Sequence, residues 1–202
     1  MIEKDTYNTI LKPSVEVLFK DKNSKFFGYA FPVTSIDQIK VQIELLKKEH
    51  HAARHWCYAY QIGHESVEYR VNDDGEPNNS AGQPIYGQIQ SFDVTNILIV
   101  VVRYFGGVKL GVGGLINAYR TAAQMALEDT SIVTRTINKK YRLTFDYKFM
   151  NKVMRIIKEK KIKITNQDSE LNCVIEISIR KKYAESVYNT FKQLHEITIS
   201  EL

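Results

Sequence analysis

Hydrophobic and polar residues alternate over 14–20 (SVEVLFK) and again over 25–33 (KFFGYAFPV), with a polar DKNS between them. Successive side chains of a strand point to opposite faces, so this pattern predicts a β-hairpin with a four-residue turn. From Ser35 the period changes. Ile36, Ile39, Ile43 and Leu46 recur at helical spacing, and Ser35 followed by Gln38 is a capping-box pattern, so 35–50 is predicted to be an amphipathic helix. HWCYAYQI (55–62) returns to alternation, with Trp56, Tyr58, Tyr60 and Ile62 on one face and His55, Cys57 and Ala59 on the other. VEYRV (67–71) is its predicted partner strand. NDDGEPNNSAGQP (72–84) consists of turn formers and reads as a loop. TNILIVVVRYF (95–105) is the most apolar run and predicts a central strand buried on both faces. LINAYRTAAQMALED (115–129) follows as a helix, with Ala118, Ala122, Ala123 and Ala126 placed where it can press closely onto a sheet.

Beyond residue 137 the order is simpler. Strands are predicted over 139–147, 161–165, 171–180 and 196–200. Helices are predicted over 148–160, with Phe149, Val153, Ile156 and Ile157 on one face, and over 182–194. β-α-β-β-α-β is the order of a ferredoxin-like module. The chain is therefore read as α/β (α+β) with two domains, 1–137 and 138–202.

Charge sharpens that division. Residues 138–202 hold 14 Lys and Arg against 8 Asp and Glu, whereas 1–137 hold 14 against 15. A basic second domain points towards a polyanion. The composition, 44% hydrophobic and 25% charged, is that of a soluble globular protein. No apolar run approaches the roughly 18–20 residues that span a bilayer. The N-terminal MIEKDTYNTILKPS lacks the apolar segment of a secretory signal. Cys57 and Cys173 match no metal spacing and read as buried reduced thiols, so a cytoplasmic protein is expected.

The densest chemistry lies in RYFGGVKLGVGG (103–114), which has five glycines between 106 and 114 around Lys109. A buried strand leading into a helix is the layout in which backbone N–H groups hold an anion. Neither standard phosphate loop is present. Gly106 and Gly111 have the P-loop separation but are followed by Val112 and Gly113, and Ile116 stands where a dinucleotide fingerprint wants glycine or alanine. What remains is a glycine corner with Arg103 and Lys109, and with Arg120 one turn into the helix. It reads first as a structural turn and second as an anion site using Arg103, Gly106, Gly107, Lys109, Gly111 and Arg120.

Asp73, Asp74 and Glu76 place three carboxylates in four residues, away from the calcium-loop spacing. Their simplest role is a turn whose acids pair with Arg103 and Lys109. With His55 they also form a candidate pocket. Zinc would require ligands beyond His55 and Cys57, and His64 and His195 are not at a telling spacing. Lys148, Lys152, Arg155, Lys158, Lys160, Lys161 and Lys163 crowd one predicted helix and the next strand. Lys152, Arg155 and Lys158 are the nucleic-acid candidates on that face. It has no aromatic to stack bases, so it is expected to read RNA backbone or shape.

RYFGGVKLG after an aliphatic strand, DDGEP…AGQPI upstream, and ARHWCYAY before that resemble, in order and spacing, the IMPACT family in its YigZ-type bacterial branch. Asn78-Asn79-Ser80 stands where Ser-Gly-Thr is usual. Asn117 replaces an arginine in GLxRAY, which removes one cation beside the corner.

The resemblance implies a first domain like ribosomal-protein and elongation-factor-G domain-IV β/α folds. It implies a second, ferredoxin-like domain similar to domain V of that factor. It further implies a non-enzymatic translation-associated regulator that binds RNA or the ribosome, with a possible protein partner in translation control. No catalytic residue, cofactor, metal or membrane contact is implied. The eukaryotic relative opposes a stress kinase through an additional N-terminal domain. Met1 is a dozen residues from the first predicted strand, so that activity is not expected here. The rival reading is an enzyme, or a small-molecule or anion binder, using His55, Asp73, Asp74, Glu76, Arg103 and Lys109.

Overall fold

A computed structural model describes residues 5–168 and 173–202. Their elements run β1 (Thr6–Ile10), β2 (Val17–Asp21), β3 (Ser24–Pro32), α1 (Ile36–Glu49), β4 (His55–Ile62), β5 (Glu68–Asn72), α2 (Gly82–Ser91), β6 (Ile97–Tyr104), α3 (Gly111–Glu128) and β7 (Ile132–Thr136). They continue with β8 (Asn138–Phe145), a 3-10 turn (Tyr147–Phe149), α4 (Met150–Glu159), β9 (Lys163–Asp168), β10 (Cys173–Arg180), α5 (Lys181–Lys192) and β11 (Ile197–Glu201). Leu171 and Asn172, the start of the strand read as 171–180, lie outside the described residues. The protein is mixed α/β, as expected. Two compact units separate at 135/136, and Asp5 and Thr6 belong with the second.

In the larger unit five strands pair in the order β2-β3-β6-β4-β5, each antiparallel to its neighbours. Ile97–Arg103 of β6 are all buried because helices cover both faces. Ile97, Ile99 and Val101 share a core with α2 and α3. Leu98, Val100 and Val102 share another with Ile39, Ile43 and Leu46 of α1. Fully burying each such side chain contributes about 1.5–3 kcal/mol. α3 approaches β3 so closely that a Cβ on Gly28 would lie 2.5 Å from the carbonyl oxygen of Ala122.

Four local readings change. The β2–β3 turn is two residues long, Lys22 and Asn23, at φ 43° and 65°. Positive φ at both positions is the type I′ geometry that matches strand twist, and Asn tolerates it. At α1, Ser35 Oγ accepts from Gln38 N at 3.4 Å, but Gln38 Oε1 returns to Thr34 N, at 2.7 Å, one residue before the cap. α2 begins inside the stretch read as loop and runs past its end to Ser91. β1 and β7, which alternation did not mark, form a two-stranded ribbon.

His50 caps α1 at its C-terminus and is closed in by two phenols. Tyr29 Oη donates to Glu16, and its oxygen lies 2.5 Å from His50 Nε2, while Tyr104 Oη lies 3.0 Å from Nδ1. Tyr29 has one proton and gives it to Glu16, so the donor count places the imidazole proton on Nε2. Burial first, and then the Glu16 carboxylate, push the Tyr29 phenol up, which keeps it a donor.

The second unit has sheet order β11-β8-β10-β9, all antiparallel, with α4 and α5 packed on one face. This is the ferredoxin-like arrangement that the element order predicts. Tyr141, Leu143 and Phe145 meet Cys173, Ile175, Ile177, Val153 and Ile157 in its core. Phe149 and Ile156, expected on the same helix face, are only partly buried.

Candidate functional site

The acidic loop, residues 73–76, is built inward. Asn72 Oδ1 accepts from Asp74 N at 2.7 Å, the Asx turn that starts it. Asp73 Oδ1 accepts from Ala81 N (2.9 Å) and Gly82 N (2.8 Å), and Oδ2 from Asn79 N (2.9 Å). It therefore caps α2 from nine residues upstream. Asp74 Oδ2 accepts from Trp56 N at 2.7 Å, which pins the loop to β4. Glu76 Oε1 receives Arg103 Nη1 at 2.6 Å and Tyr119 Oη at 2.8 Å. Asp73 Oδ1 and Oδ2, Asp74 Oδ2 and Glu76 Oε1 thus serve backbone donors, one arginine and one phenol, which makes these acids parts of a structural turn. The expectation that its acids pair with Lys109 gives way, because Arg103 alone of the two cations reaches them.

Arg103 is 6% exposed and stands between Phe26 and His55 in a cross-strand row of β3, β6 and β4. Its guanidinium lies 5.5 Å from the ring centroids of both Phe26 and Phe105. Nε is buried and has no hydrogen-bond partner. The site residue that sequence reasoning missed is Tyr119, fully buried beside the chosen but exposed Arg120. The helical spacing Leu115, Ala118/Tyr119, Ala122 already placed it on the inner face.

His55 Nδ1 lies 2.8 Å from the carbonyl oxygen of Asp74, so Nδ1 carries the proton. Nε2 is 4.0 Å from Glu76 Oε1. Cys57 Sγ has two acceptors for its single proton, Asp73 O (3.0 Å) and Tyr119 Oη (3.3 Å). Burial dominates in pushing the Cys57 thiol far up, which leaves it a poor nucleophile. Native protein at pH 8 is therefore expected to keep Cys57 unalkylated by iodoacetamide while urea-unfolded protein reacts fully. Rapid native labelling by mass spectrometry would show that the thiol opens to solvent.

The glycine corner differs from a simple strand-to-helix loop. α3 begins at Gly111, four residues before the predicted start, so Gly111, Gly113 and Gly114 lie in its first turns. Positive φ occurs at Gly107 (87°) and Gly111 (75°). Gly106 is required for space: a Cβ there would lie 2.0 Å from Asn23 C, and Gly106 N donates to Ser24 Oγ at 3.1 Å. Phe105, Val108 and Val112 are exposed around Lys109.

On the basic face of the second unit, Lys148 pairs with Asp146, Lys152 with Glu196 and Arg155 with Glu159, at 3.4, 3.4 and 3.8 Å. Lys158, Lys160, Lys161 and Lys163 are exposed and carry no ion pair among the described residues. The unpaired positive charge therefore concentrates at the C-terminal end of α4.

Residues 22–127 match the Impact N-terminal domain, and this stretch holds the acidic loop, β6 and the corner. The chain belongs to the IMPACT family. An IMPACT family member from Haemophilus influenzae is 32% identical over 87% of each chain. The family member YigZ from Escherichia coli is 30% identical over 82% of each. A solved hypothetical protein superposes over 99% of this chain and 98% of its own with a TM-score of 0.74 at 25% identity. The solved two-domain translational regulator Yih1 is 27% identical over 59% of this chain and 46% of its own, with a TM-score of 0.38. No helix among the described residues is long and apolar enough to cross a membrane.

Proposed function

We propose that this IMPACT family protein is a non-enzymatic, cytoplasmic, translation-associated regulator that binds RNA, alone or on the ribosome, through its basic second unit. The observation that carries the reading is the run of cations along α4 into β9, on a unit with 14 basic against 8 acidic residues from 138 onward. Membership of the IMPACT family, whose resemblance implies a part in translation control, supports the coarser part. Affinity from such a face is electrostatic, and each phosphate contact adds about 0.7 to the salt slope on single strands. Binding of a single-stranded RNA, followed by fluorescence polarisation across salt concentrations, is expected to flatten by about two units when Lys152, Arg155 and Lys158 become Ala. Lys158 contributes its full share, whereas Lys152 and Arg155 must first leave Glu196 and Glu159. An unchanged slope removes this face from the reading.

The rival, a small-molecule anion binder at the glycine corner, is favoured by one observation. Arg103 Nε is buried without a partner at the strand end that leads to Lys109. Lys109 is the exposed cation there.

A further inference from the structure

A cleft of about 470 Å³ lies in the second unit, walled by Lys160, Lys161, Ser178, Arg180, Tyr183 and Ser186 among others. Its polar lining is made of hydrogen-bond donors and hydroxyls, and no carboxylate lines it. Arg180 is held by Asp5 through Nε (2.6 Å) and Nη2 (3.2 Å), so it forms a wall and supplies little net charge. The unbalanced charge comes from Lys160 and Lys161, which are exposed and carry no ion pair among the described residues. Lys161 stands at φ 51°, the left-handed position of the turn that ends α4, with Lys161 N donating to Lys158 O (3.1 Å) and Ile162 N to Ile157 O (2.9 Å).

Two features of α5 add to this. Its N-terminus adjoins the cleft, has no side-chain cap and no acid in its first turn, and carries Lys182 there. Cations at a helix N-terminus have the wrong sign for the dipole, and an anion beside them relieves the conflict. Tyr183, in the same turn, is 55% exposed, with Lys182 Nζ 4.7 Å from its ring centroid. An exposed aromatic beside lysines is the combination that takes a base on the ring and a phosphate on the cations. The cleft also has the size of a small-ligand site.

We propose that this cleft binds a nucleotide, with its phosphate on Lys160 and Lys161 and its base on Tyr183. The inference rests on the RNA-binding reading and deepens it: it supplies the base-stacking aromatic that α4 lacks. The shared chemistry is a phosphorylated nucleoside, met either within RNA or as a free nucleotide.

The test uses the full chain, a single-stranded RNA and AMP, with the variants K160A/K161N and Y183A; Asn at 161 preserves the positive φ. All three residues are exposed, so melting temperatures are expected to stay at the wild-type value. K160A/K161N is expected to weaken RNA binding and lower the salt slope by about 1.4. Y183A is expected to weaken RNA binding about tenfold with an unchanged slope, because stacking releases no counterion. If wild type binds RNA and neither variant changes it, while K152A/R155A/K158A does, the cleft inference is overturned and the RNA reading stands. If wild type binds no RNA, that reading fails. AMP binding that K160A/K161N abolishes then supports the cleft as a free-nucleotide site, and no AMP binding overturns it.

Discussion

Glu76→Gln is expected to destabilise the larger unit by about 3–5 kcal/mol, the range for removing one partner of a buried ion pair. Arg103 is 7% exposed at its side chain and Glu76 4%, so solvent cannot replace the lost carboxylate. Arg103 Nε is already without a partner, and the variant leaves the rest of a buried guanidinium facing an amide. Tyr119 Oη loses its charged acceptor in the same step. The physics also fixes the double variant. Glu76→Leu with Arg103→Met removes both charges and their desolvation together, so it is expected to cost less than Glu76→Gln alone. Urea unfolding of the three proteins, read at constant m, makes the comparison. A single-variant loss below about 1 kcal/mol would place the pair in water rather than in the core.

The strut behind this prediction was half legible in the sequence. Three acids in four residues and an arginine at the end of the most apolar strand announce a pairing, and the period of two in a strand puts Arg103 on the same face as Val101 and Ile99. What alternation cannot give is which acid is used. Asp73 and Asp74 are consumed by backbone N–H groups eight or nine residues onward and across to β4, and such bonds depend on the fold rather than on spacing. α2 was illegible for the same reason. Pro84 and Gly87 lower its helix propensity, its N-cap Ala81 offers no side-chain acceptor, and its start is stabilised by Asp73 from outside the local window. The second unit read more completely because β8, α4, β10 and α5 each bury one face in a single small core. The corner glycines read as loop because glycine is a poor helix former, yet packing of Leu115, Ala118 and Tyr119 carries α3 back to Gly111.

Gly106→Ala is expected to be the second most damaging change, costing about 3 kcal/mol or more, at or beyond the upper end of overpacking penalties. The added Cβ would lie 2.0 Å from Asn23 C and 2.3 Å from both Asn23 O and Ser24 N, all backbone atoms of the β2–β3 turn. A flexible side chain could move aside, but this turn is held by φ > 0 at Lys22 and Asn23 and by the Gly106 N–Ser24 Oγ bond. Gly107 provides the control. Its φ is 87° but nothing lies within 4 Å of the point a Cβ would occupy, so Gly107→Ala meets only the backbone penalty of about 1–2 kcal/mol. The adjacent glycines thus serve different needs, one for space and one for conformation, and their alanine variants separate the two. Urea midpoints of Gly106→Ala and Gly107→Ala give the comparison. Equal losses would mean that the hairpin turn does not press on the corner in solution. A clearly larger loss at 106 makes that contact the clamp that presents Lys109, Phe105 and Val108 as one surface.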